Sequence, residues 1–325
     1  MKVHILDDWF DTLRNLPSFA RLKEHEVTVW NDHVENTDIL AKRLVDAEAL
    51  VLFRERTPVN AELLERLPNL QLISQRSVYP HVDVASCTAH GVLLCSNMHS
   101  DTPSHAAAEL TWGLILAAMR QIPQQMESLR AGRWQAGVGK TLRGRTLGLY
   151  GNGRIAGAVA GYARAFGMQV IWWGSEAGRA RARDEGKTVP DTRSTFFAES
   201  DVVSLHVRLK PETRGIITGD DLGAMQPGAL FVNTSRAGLV ERGALLSALN
   251  AGRPGMAAVD VFDIEPLTDP NDELVNHPRM IATPHIGYVT EDELDLQFAD
   301  IYDQINAYAE GAPIHMINPE IRDNS

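Results

Sequence analysis

Residues 146–167 read TLGLYGNGRIAGAVAGYARAFG: a short apolar run, a glycine-rich turn and a run of helical composition. Residues 151–156 have the spacing Gly-x-Gly-x-x-Ala. The first glycine permits a tight turn, the second lets the backbone approach a pyrophosphate, and the small third residue lets helix and strand pack closely. The helix then presents free N–H groups to the anion, so the stretch predicts a dinucleotide site; the alternative is a plain tight turn. The residues assigned to the cofactor here are Gly151, Gly153, Arg154 and Ile155.

The end of the next predicted strand bears on the choice of cofactor. An NAD site usually places an acid there, about 20 residues on, to bind the ribose 2′-hydroxyl, but this chain has Gly174 and Ser175. Without that carboxylate a 2′-phosphate is not repelled, and Arg179, followed by Arg181 and Arg183, can pair with it. The alternative is a solvated basic helix face. We therefore predict NADP or NAD as cofactor, with NADP slightly preferred and with Gly174, Ser175 and Arg179 in contact with it.

Short β-type runs alternate with helical runs along the whole chain. Such alternation predicts parallel sheets covered by helices on both faces, so the expected class is α/β with two doubly wound parallel sheets. The predicted strands of the first half are Val3–Leu6, Val27–Trp30, Ala49–Phe53, Gln71–Ser74 and Val92–Ser96. Those of the second half are Thr146–Tyr150, Gln169–Trp173, Val202–His206, Ala229–Asn233, Met256–Asp260 and Met280–Thr283.

A mostly apolar helix is predicted at Ser104–Ala118, between the two series of strands. The run SHAAAELTWGLILAA is too apolar to lie alone on a surface. It is either an interdomain packing helix or, in addition, part of a subunit interface, and we predict a homodimer. A second helix, from about Thr290 to Glu310, follows the last strand.

The composition excludes several classes of protein. The chain of 325 residues carries 31 Lys and Arg against 42 Asp and Glu, a net charge of −11, which argues against a duplex-binding protein and against anionic membranes. Its longest apolar stretch contains Glu109 and is too short to span a bilayer. Two cysteines form no disulfide framework, no signal peptide is visible, and the histidines have no metal-ligand spacing. We expect a cytoplasmic protein without a metal, a membrane or a nucleic-acid partner.

Five ordered segments resemble the D-isomer-specific 2-hydroxyacid dehydrogenase family, which includes glyoxylate/hydroxypyruvate reductases and phosphoglycerate dehydrogenases. They are GRTLGLYGNGRIA, LHVRLKPETRGII, GALFVNTSRAGLVE, AAVDVFDIEPL and TPHIGYVT. The resemblance implies a flavodoxin-like substrate domain formed by residues 1–98 and 290–325. A Rossmann cofactor domain, residues 99–289, is inserted into it, with the active site between the two. The implied activity is hydride transfer between a nicotinamide and a small 2-keto acid or D-2-hydroxy acid.

Three residues match the catalytic set of the family: Arg236 binds substrate, and Glu265 and His285 form an acid/base pair. The chemistry makes sense of these residue types. A planar guanidinium can hold a carboxylate and polarise the neighbouring carbonyl. A histidinium can donate a proton near neutral pH, and a carboxylate behind the ring fixes its tautomer and favours its charged form.

The resemblance assigns further residues to the ligands. Those assigned to the cofactor are Val207, Thr234, Ser235, Asp260 and Ser104; Ser104 serves equally well as a helix N-cap, and Asp260 as a cap of the next turn. Those assigned to the substrate are Arg54, Arg76, Ser77, Val78 and Tyr288. Arg54, with Arg56 and Arg76, could form a second anion site or belong to a solvated loop. The loop Gln75–His81 departs from the glycine-rich sequence of the family.

Two alternative functions keep the fold. Formate dehydrogenases of this superfamily carry Gln where this chain has Glu265, because formate oxidation needs no proton transfer; Glu265 therefore argues against that activity. A non-enzymatic, NAD(H)-sensing corepressor or scaffold can retain the triad, so the motifs alone do not exclude it.

Overall fold

The computed structural model describes residues 1–98 and 105–324. The chain divides into two compact units, one formed by Met1–Pro103 and Thr290–Ser325 and the other by Ser104–Val289. Each unit is built on one parallel sheet, which confirms the predicted α/β class with two parallel sheets. Each of the predicted strands is present, and its ends differ from the prediction by at most two residues.

The sheet of the first unit has the strand order β2-β1-β3-β4-β5. Val3 of β1 pairs with Val27 on one side and with Ala49 on the other, both in parallel register. Because both faces of the sheet are covered, β3 is apolar throughout, and the polar Ser74 and Gln75 of β4 are buried with hydrogen-bond partners. The strands are β1 (Lys2–Ile5), β2 (Glu26–Val29), β3 (Ala49–Val51), β4 (Leu72–Arg76) and β5 (Leu93–Asn97).

The sheet of the second unit has the order β11-β10-β9-β8-β6-β7. The strand order reverses between β6 and β8, the kind of point at which open α/β sheets bind ligands. The strands are β6 (Thr146–Tyr150), β7 (Gln169–Trp173), β8 (Val202–Leu205), β9 (Leu230–Asn233), β10 (Met256–Val259) and β11 (Met280–Ala282).

Helices connect most of the successive strands, although the described residues 260–279, between β10 and β11, contain none. Most of the α-helices begin at a side chain that accepts a backbone N–H; Asn36, Asn60, Asp83 and Thr290 do so. The helices are α1 (Thr37–Arg43), α2 (Ala61–Leu64), α3 (Val84–Ala89), α4 (Ala106–Met119), α5 (Ile122–Arg130), α6 (Arg154–Ala165), α7 (Glu176–Asp184), α8 (Arg193–Glu199), α9 (Gly219–Ala224), α10 (Ala244–Ala251) and α11 (Glu291–Ala309). Short 3-10 helices are Leu13–Asn15, Pro17–Leu22, Pro211–Thr213, Ala237–Leu239 and Pro319–Asn324.

The last helix returns to the first unit. The Ser74 hydroxyl on β4 donates to the carbonyl of Ile301 (2.9 Å), and the Gln304 amide donates to the carbonyl of Gln75 (3.2 Å). These buried bonds tie α11 to the centre of the first sheet, so the end of the chain completes the unit that its beginning forms.

The apolar helix α4 lies in the core of the second unit. Trp112, Ile115 and Ala118 are buried beside α6 and the strands β9 and β10. Its apolar character is therefore explained by packing within its own unit. Across residues 1–98 and 105–324, no helix combines the length and the apolar character that a membrane span needs.

Candidate active site

The glycine loop connects β6 to α6, and its glycines are required by the backbone. Gly151 has φ +121°, and a Cβ there would lie 2.3 Å from the carbonyl oxygen of His206. Gly153 precedes α6 without a side-chain cap, and a Cβ on it would meet nothing within 4 Å. The space beside Gly153 at the start of α6 is therefore open, while Ala156 is fully buried. A dinucleotide pyrophosphate would find room here, and Gly151, Gly153, Arg154 and Ile155 are the residues that would hold it.

At the end of β7 the chain has Gly174 and Ser175 where NAD sites usually have an acid, and a guanidinium from α7 lies beside them. Gly174 has φ +155°, and Ser175 caps α7 by accepting the N–H of Gly178 (3.2 Å). Nη1 of Arg179 donates to the Gly174 carbonyl (2.9 Å), and its guanidinium lies 4.3 Å from the Trp173 ring centroid. The other two arginines of α7, at 181 and 183, are exposed.

One cation near the glycine loop was missed from the sequence. Nζ of Lys187 donates to Oδ1 of Asn152 (2.7 Å), the residue between the two glycines, and lies 4.3 Å from the Trp172 ring centroid. It also pairs with Glu185, and that hydrogen bond holds the pKa of the Glu185 carboxyl below its ordinary value. Hydrophobic periodicity describes neighbours within one helix or strand, so it cannot predict a contact between residues 35 positions apart.

The loops after β8 and β9 pack against the glycine loop and against α4. Burial lowers the pKa of His206 to about 4, so its ring is neutral where its carbonyl meets Gly151. Val207 is half-buried beside Gly151. The Thr234 hydroxyl lies 2.7 Å from that of Thr111, and the Ser235 hydroxyl donates to the carbonyl of Leu205 (2.7 Å). These bonds fix the loop that carries Arg236.

Arg236 is exposed on extended backbone at the end of β9, with φ −150°. The Asn233 side chain bridges the turn between β9 and Arg236. Its Oδ1 accepts the N–H of Ser235 (3.0 Å), and its Nδ2 donates to the carbonyl of Arg236 (2.9 Å). Nη1 of Arg236 donates to the Ser235 carbonyl (2.8 Å). In the described part of the chain no carboxylate forms an ion pair with this guanidinium, which suits it to bind an anionic substrate.

Glu265 and His285 form a close pair. Nδ1 of His285 lies 2.5 Å from Oε2 of Glu265, and Oε1 of Glu265 accepts the N–H of Phe262 (2.8 Å). Burial raises the pKa of Glu265, but hydrogen bonds from His285 and Phe262 and the nearby charge of Arg236 outweigh it, so the pKa lies below its ordinary value. An ionised Glu265 can accept a hydrogen bond from Nδ1 of His285, and in that tautomer Nε2 is the nitrogen left for proton exchange. The Tyr288 ring meets that of His285 edge-on, with 5.6 Å between centroids.

Asp260 supports the loop that carries His285. It is fully buried, and Oδ1 accepts the Thr283 hydroxyl (2.6 Å) and the N–H of Ile286 (2.8 Å). Oδ2 accepts the N–H of Gly287 (2.8 Å). Burial raises the pKa of Asp260 above its ordinary value, although these hydrogen bonds oppose the shift. His285 has φ +53°, a left-handed conformation that this anchored loop maintains.

In the first unit, the predicted substrate residues lie after β3 (Arg54), at the end of β4 (Arg76) and directly after β4 (Ser77 and Val78). Arg54 and Ser77 have positive φ, at +60° and +78°. Nε2 of the buried Gln75 donates to the carbonyls of Ser77 (3.0 Å) and Val78 (3.4 Å), which fixes the loop after β4. Nε of Arg76 lies 3.4 Å from Oδ2 of Asp300.

The two remaining predictions concern Ser104 and a metal site. Ser104, assigned to the cofactor from the sequence, lies outside the described residues. Among residues that the structure does describe, no three His, Cys, Asp or Glu side chains are grouped as a metal site would require.

Comparison with known proteins defines the family. The profile of the D-isomer specific 2-hydroxyacid dehydrogenase NAD binding domain matches residues 112–287. Glyoxylate reductase of Thermococcus litoralis is 32% identical over 318 residues, which cover 93% of each chain. The crystal structure of phosphoglycerate oxidoreductase from Vibrio cholerae O395 has a TM-score of 0.89 and 45% identity, covering 96% of this chain and 100% of that one.

The chain belongs to the D-isomer-specific 2-hydroxyacid dehydrogenase family, and the resemblance seen in its sequence motifs is confirmed. Its second unit contains the NAD-binding domain of that family. D-3-phosphoglycerate dehydrogenase of Bacillus subtilis is 32% identical over 286 residues, 85% of this chain but 54% of that protein. The chain thus spans about half the length of this relative.

Proposed function

We propose that this protein reduces a small 2-keto acid to the D-2-hydroxy acid, and catalyses the reverse oxidation, with a nicotinamide dinucleotide as cofactor. The observation that carries the proposal is the Glu265–His285 pair, 2.5 Å apart, on the NAD-binding unit. The charge of Arg236 acts on the same carboxylate. A cation for the substrate and a histidine with a fixed tautomer are what this reaction needs.

Each residue has a distinct task in the proposed mechanism. Arg236 binds the substrate carboxylate and polarises the carbonyl to be reduced. His285 donates a proton from Nε2 to the carbonyl oxygen, while Glu265 accepts the Nδ1 proton in a hydrogen bond and stabilises the cation. When bound, the reduced nicotinamide supplies the hydride for the carbonyl carbon. In the oxidation, neutral His285 takes the proton back.

We propose NADP as the slightly preferred form of the cofactor. The absent acid at residues 174 and 175 and the position of Arg179 beside the Gly174 carbonyl support this choice. The contacts proposed for the dinucleotide are Gly151, Gly153, Arg154, Ile155, Gly174, Ser175, Arg179, Val207, Thr234, Ser235 and Asp260. On the substrate side we propose Arg54, Arg76, Ser77, Val78 and Tyr288.

We also propose a homodimer, with a second candidate surface besides the one expected. Because most apolar side chains of α4 pack within its own unit, we add as a candidate an apolar face on α5 and the segment after it, called here the α5 face. Trp134 and Val138 are 77% and 90% exposed. Gln125 binds the backbone of Ala136 (2.9 Å) and Gly137 (3.2 Å) and so ties that segment to α5. The α5 face consists of Ile122, Met126, Leu129, Trp134 and Val138.

Nicotinamide absorbance with a panel of 2-keto acids and formate tests the proposed activity. Reduction of a 2-keto acid that is lost in His285→Ala, by about 10²–10⁴-fold in kcat, is the expected result. Nucleotide binding without turnover of any keto acid would favour a cofactor-sensing scaffold. Oxidation of formate alone would contradict the role given to Glu265.

A further inference from the structure

The end of α7 places two opposite charges on either side of a glycine. The helix closes with a Schellman motif, in which the N–H of Gly186 donates to the carbonyl of Arg183 (2.9 Å) and the N–H of Lys187 donates to that of Ala182 (2.8 Å). Gly186 has φ +72°, the left-handed conformation that this motif uses. Glu185 therefore stands one residue before the turn, and Lys187 stands one residue after it.

The chain after this turn runs along the edge of the second sheet. Thr188 pairs with Ile171 of β7 in parallel register, and the N–H of Trp172 donates to the Thr188 carbonyl (2.9 Å). The ammonium of Lys187 lies 4.3 Å from the Trp172 ring centroid, and its side chain is 21% exposed. Because the backbone is paired and the side chain lies against the ring, the ammonium has a defined place.

That place is at the glycine loop. Nζ of Lys187 donates to Oδ1 of Asn152 (2.7 Å), the residue between Gly151 and Gly153, and pairs with the carboxylate of Glu185. Hydrogen bonds to Glu185 from Lys187 and from the Asn152 side chain hold the pKa of its carboxyl below the ordinary value, so the group is ionised at neutral pH. The Asn152 amide is thus held at both ends, by a donor at its oxygen and an acceptor at its nitrogen.

The stability of α7 does not account for an acid at this position. A carboxylate at the C-terminus of a helix opposes the helix dipole, and Asp184 already precedes Glu185 there. The groups that stabilise the charge of Glu185 are Lys187, Asn152 and, at longer range, Arg181. Without Lys187, an ionised carboxylate would remain beside the loop proposed for the pyrophosphate and would repel it.

We propose that Lys187 is a positioning residue for the dinucleotide. It neutralises Glu185 and holds Asn152 in place, so that the glycine loop offers the pyrophosphate a preformed surface without an uncompensated negative charge. This inference rests on the proposed function and deepens it, because it names a residue that sets the affinity for the cofactor without touching the reacting atoms.

Calorimetric binding of NADH and of NADPH to the full chain, without a substrate, tests the inference. Lys187→Met keeps an unbranched apolar side chain but leaves Glu185 unpaired, so the Kd of both nucleotides should rise by about three- to tenfold. Glu185→Gln removes the carboxylate and should bind both nucleotides no more weakly than the wild-type protein. The double variant should recover most of the affinity that Lys187→Met loses, because neither charge remains.

An ion pair with a merely structural role would give a different pattern, because its loss from either side would weaken binding alike. Salt gives a second readout: raising the ionic strength from about 0.05 to 0.5 M should shrink the difference in Kd between Lys187→Met and wild type, since screening weakens the repulsion. Lys187→Arg keeps the charge and should bind within about twofold of wild type. Equal Kd values for wild type and Lys187→Met, or a Glu185→Gln variant as weak as Lys187→Met, would overturn the inference.

Arg145→Met is the matched control, because Arg145 pairs with Asp201 (2.6 Å) at the amino end of β6, the end away from the glycine loop. Its loss should lower the Tm and leave both Kd values unchanged. If the Kd values follow the expected pattern but no keto acid is reduced, the proposed activity fails and the inference stands. If keto acids are reduced but all variants bind alike, the inference alone fails. A wild-type protein that binds neither nucleotide would overturn both.

Discussion

Nδ1 of His285 lies 2.5 Å from Oε2 of Glu265, and the two residues come from different loops, after β10 and after β11. The carboxylate is fixed on its other side by the N–H of Phe262. Because the pKa of Glu265 is below its ordinary value, the group stays ionised throughout the neutral range. In the proposed mechanism, His285 therefore faces a constant negative charge while it gives up and takes back a proton.

Glu265→Gln should shift both pH–rate profiles to lower pH. Reduction needs histidinium, and the carboxylate stabilises it, so loss of the charge moves the alkaline limb downward. Oxidation needs neutral His285, so the same loss extends activity to more acidic pH. The measurement is a pair of kcat/KM profiles, one in each direction, for wild type and variant. Limbs that stay in place in both directions would show that Glu265 is not coupled to the proton donor.

Asp260→Asn should lower both the stability of the protein and the rate of the reaction that it catalyses. An amide cannot accept at both positions, so at least one of the bonds from Thr283, Ile286 and Gly287 is lost in a fully buried site. The expected loss in the free energy of unfolding is about 1–3 kcal/mol, measured by urea denaturation. Thr283→Val, which removes one side-chain donor, is the comparison and should lose less. A variant as stable as wild type would mean that the His285 loop does not depend on Asp260.

Much of this architecture was predictable because it depends on local sequence. The strands were found because buried parallel strands are short apolar runs, and the turn at Gly151 because the spacing of small residues is imposed by close backbone approach. Glu265 and His285 were found through their motifs, although 20 residues separate them.

The remaining features arise from contacts that leave no local pattern. The bond of Lys187 to Asn152 and the stacking of Arg56 on Trp9 join residues far apart in sequence. The apolar run of α4 is explained in large part by packing in the core of the second unit, whereas its share in a subunit interface stays a prediction. The hydrogen bonds of Asp260 reach a loop that begins 23 residues later, so the sequence suggested a cofactor contact or a cap of the next turn for this residue, but not its support of the His285 loop.

Cofactor preference should respond to Arg179 and Ser175. Arg179→Ala should lower kcat/KM for NADPH by about tenfold relative to NADH, if the guanidinium pairs with the 2′-phosphate. Arg183→Ala, exposed on the same helix, is the control. An acid is better introduced at Ser175 than at Gly174, because φ +155° at Gly174 strains any side chain whereas Asp is as good an N-cap as Ser. Ser175→Asp should shift the cofactor preference toward NADH. If the ratio of kcat/KM for NADPH to that for NADH is unchanged in both variants, Arg179 and Ser175 do not contact the 2′-phosphate.

Oligomeric state should depend on the α5 face. Leu129→Asp places a charge at the centre of this apolar surface, and burying an unpaired carboxylate in an interface costs roughly 3–5 kcal/mol. The dissociation constant of the dimer should therefore rise by roughly a hundredfold or more, so that light scattering at micromolar concentration gives the mass of a monomer. Ile39→Asp, on α1 of the first unit, is equally exposed and should leave the mass unchanged. A wild-type protein that is already monomeric would reject the homodimer, and a dimeric Leu129→Asp variant would move the interface away from α5.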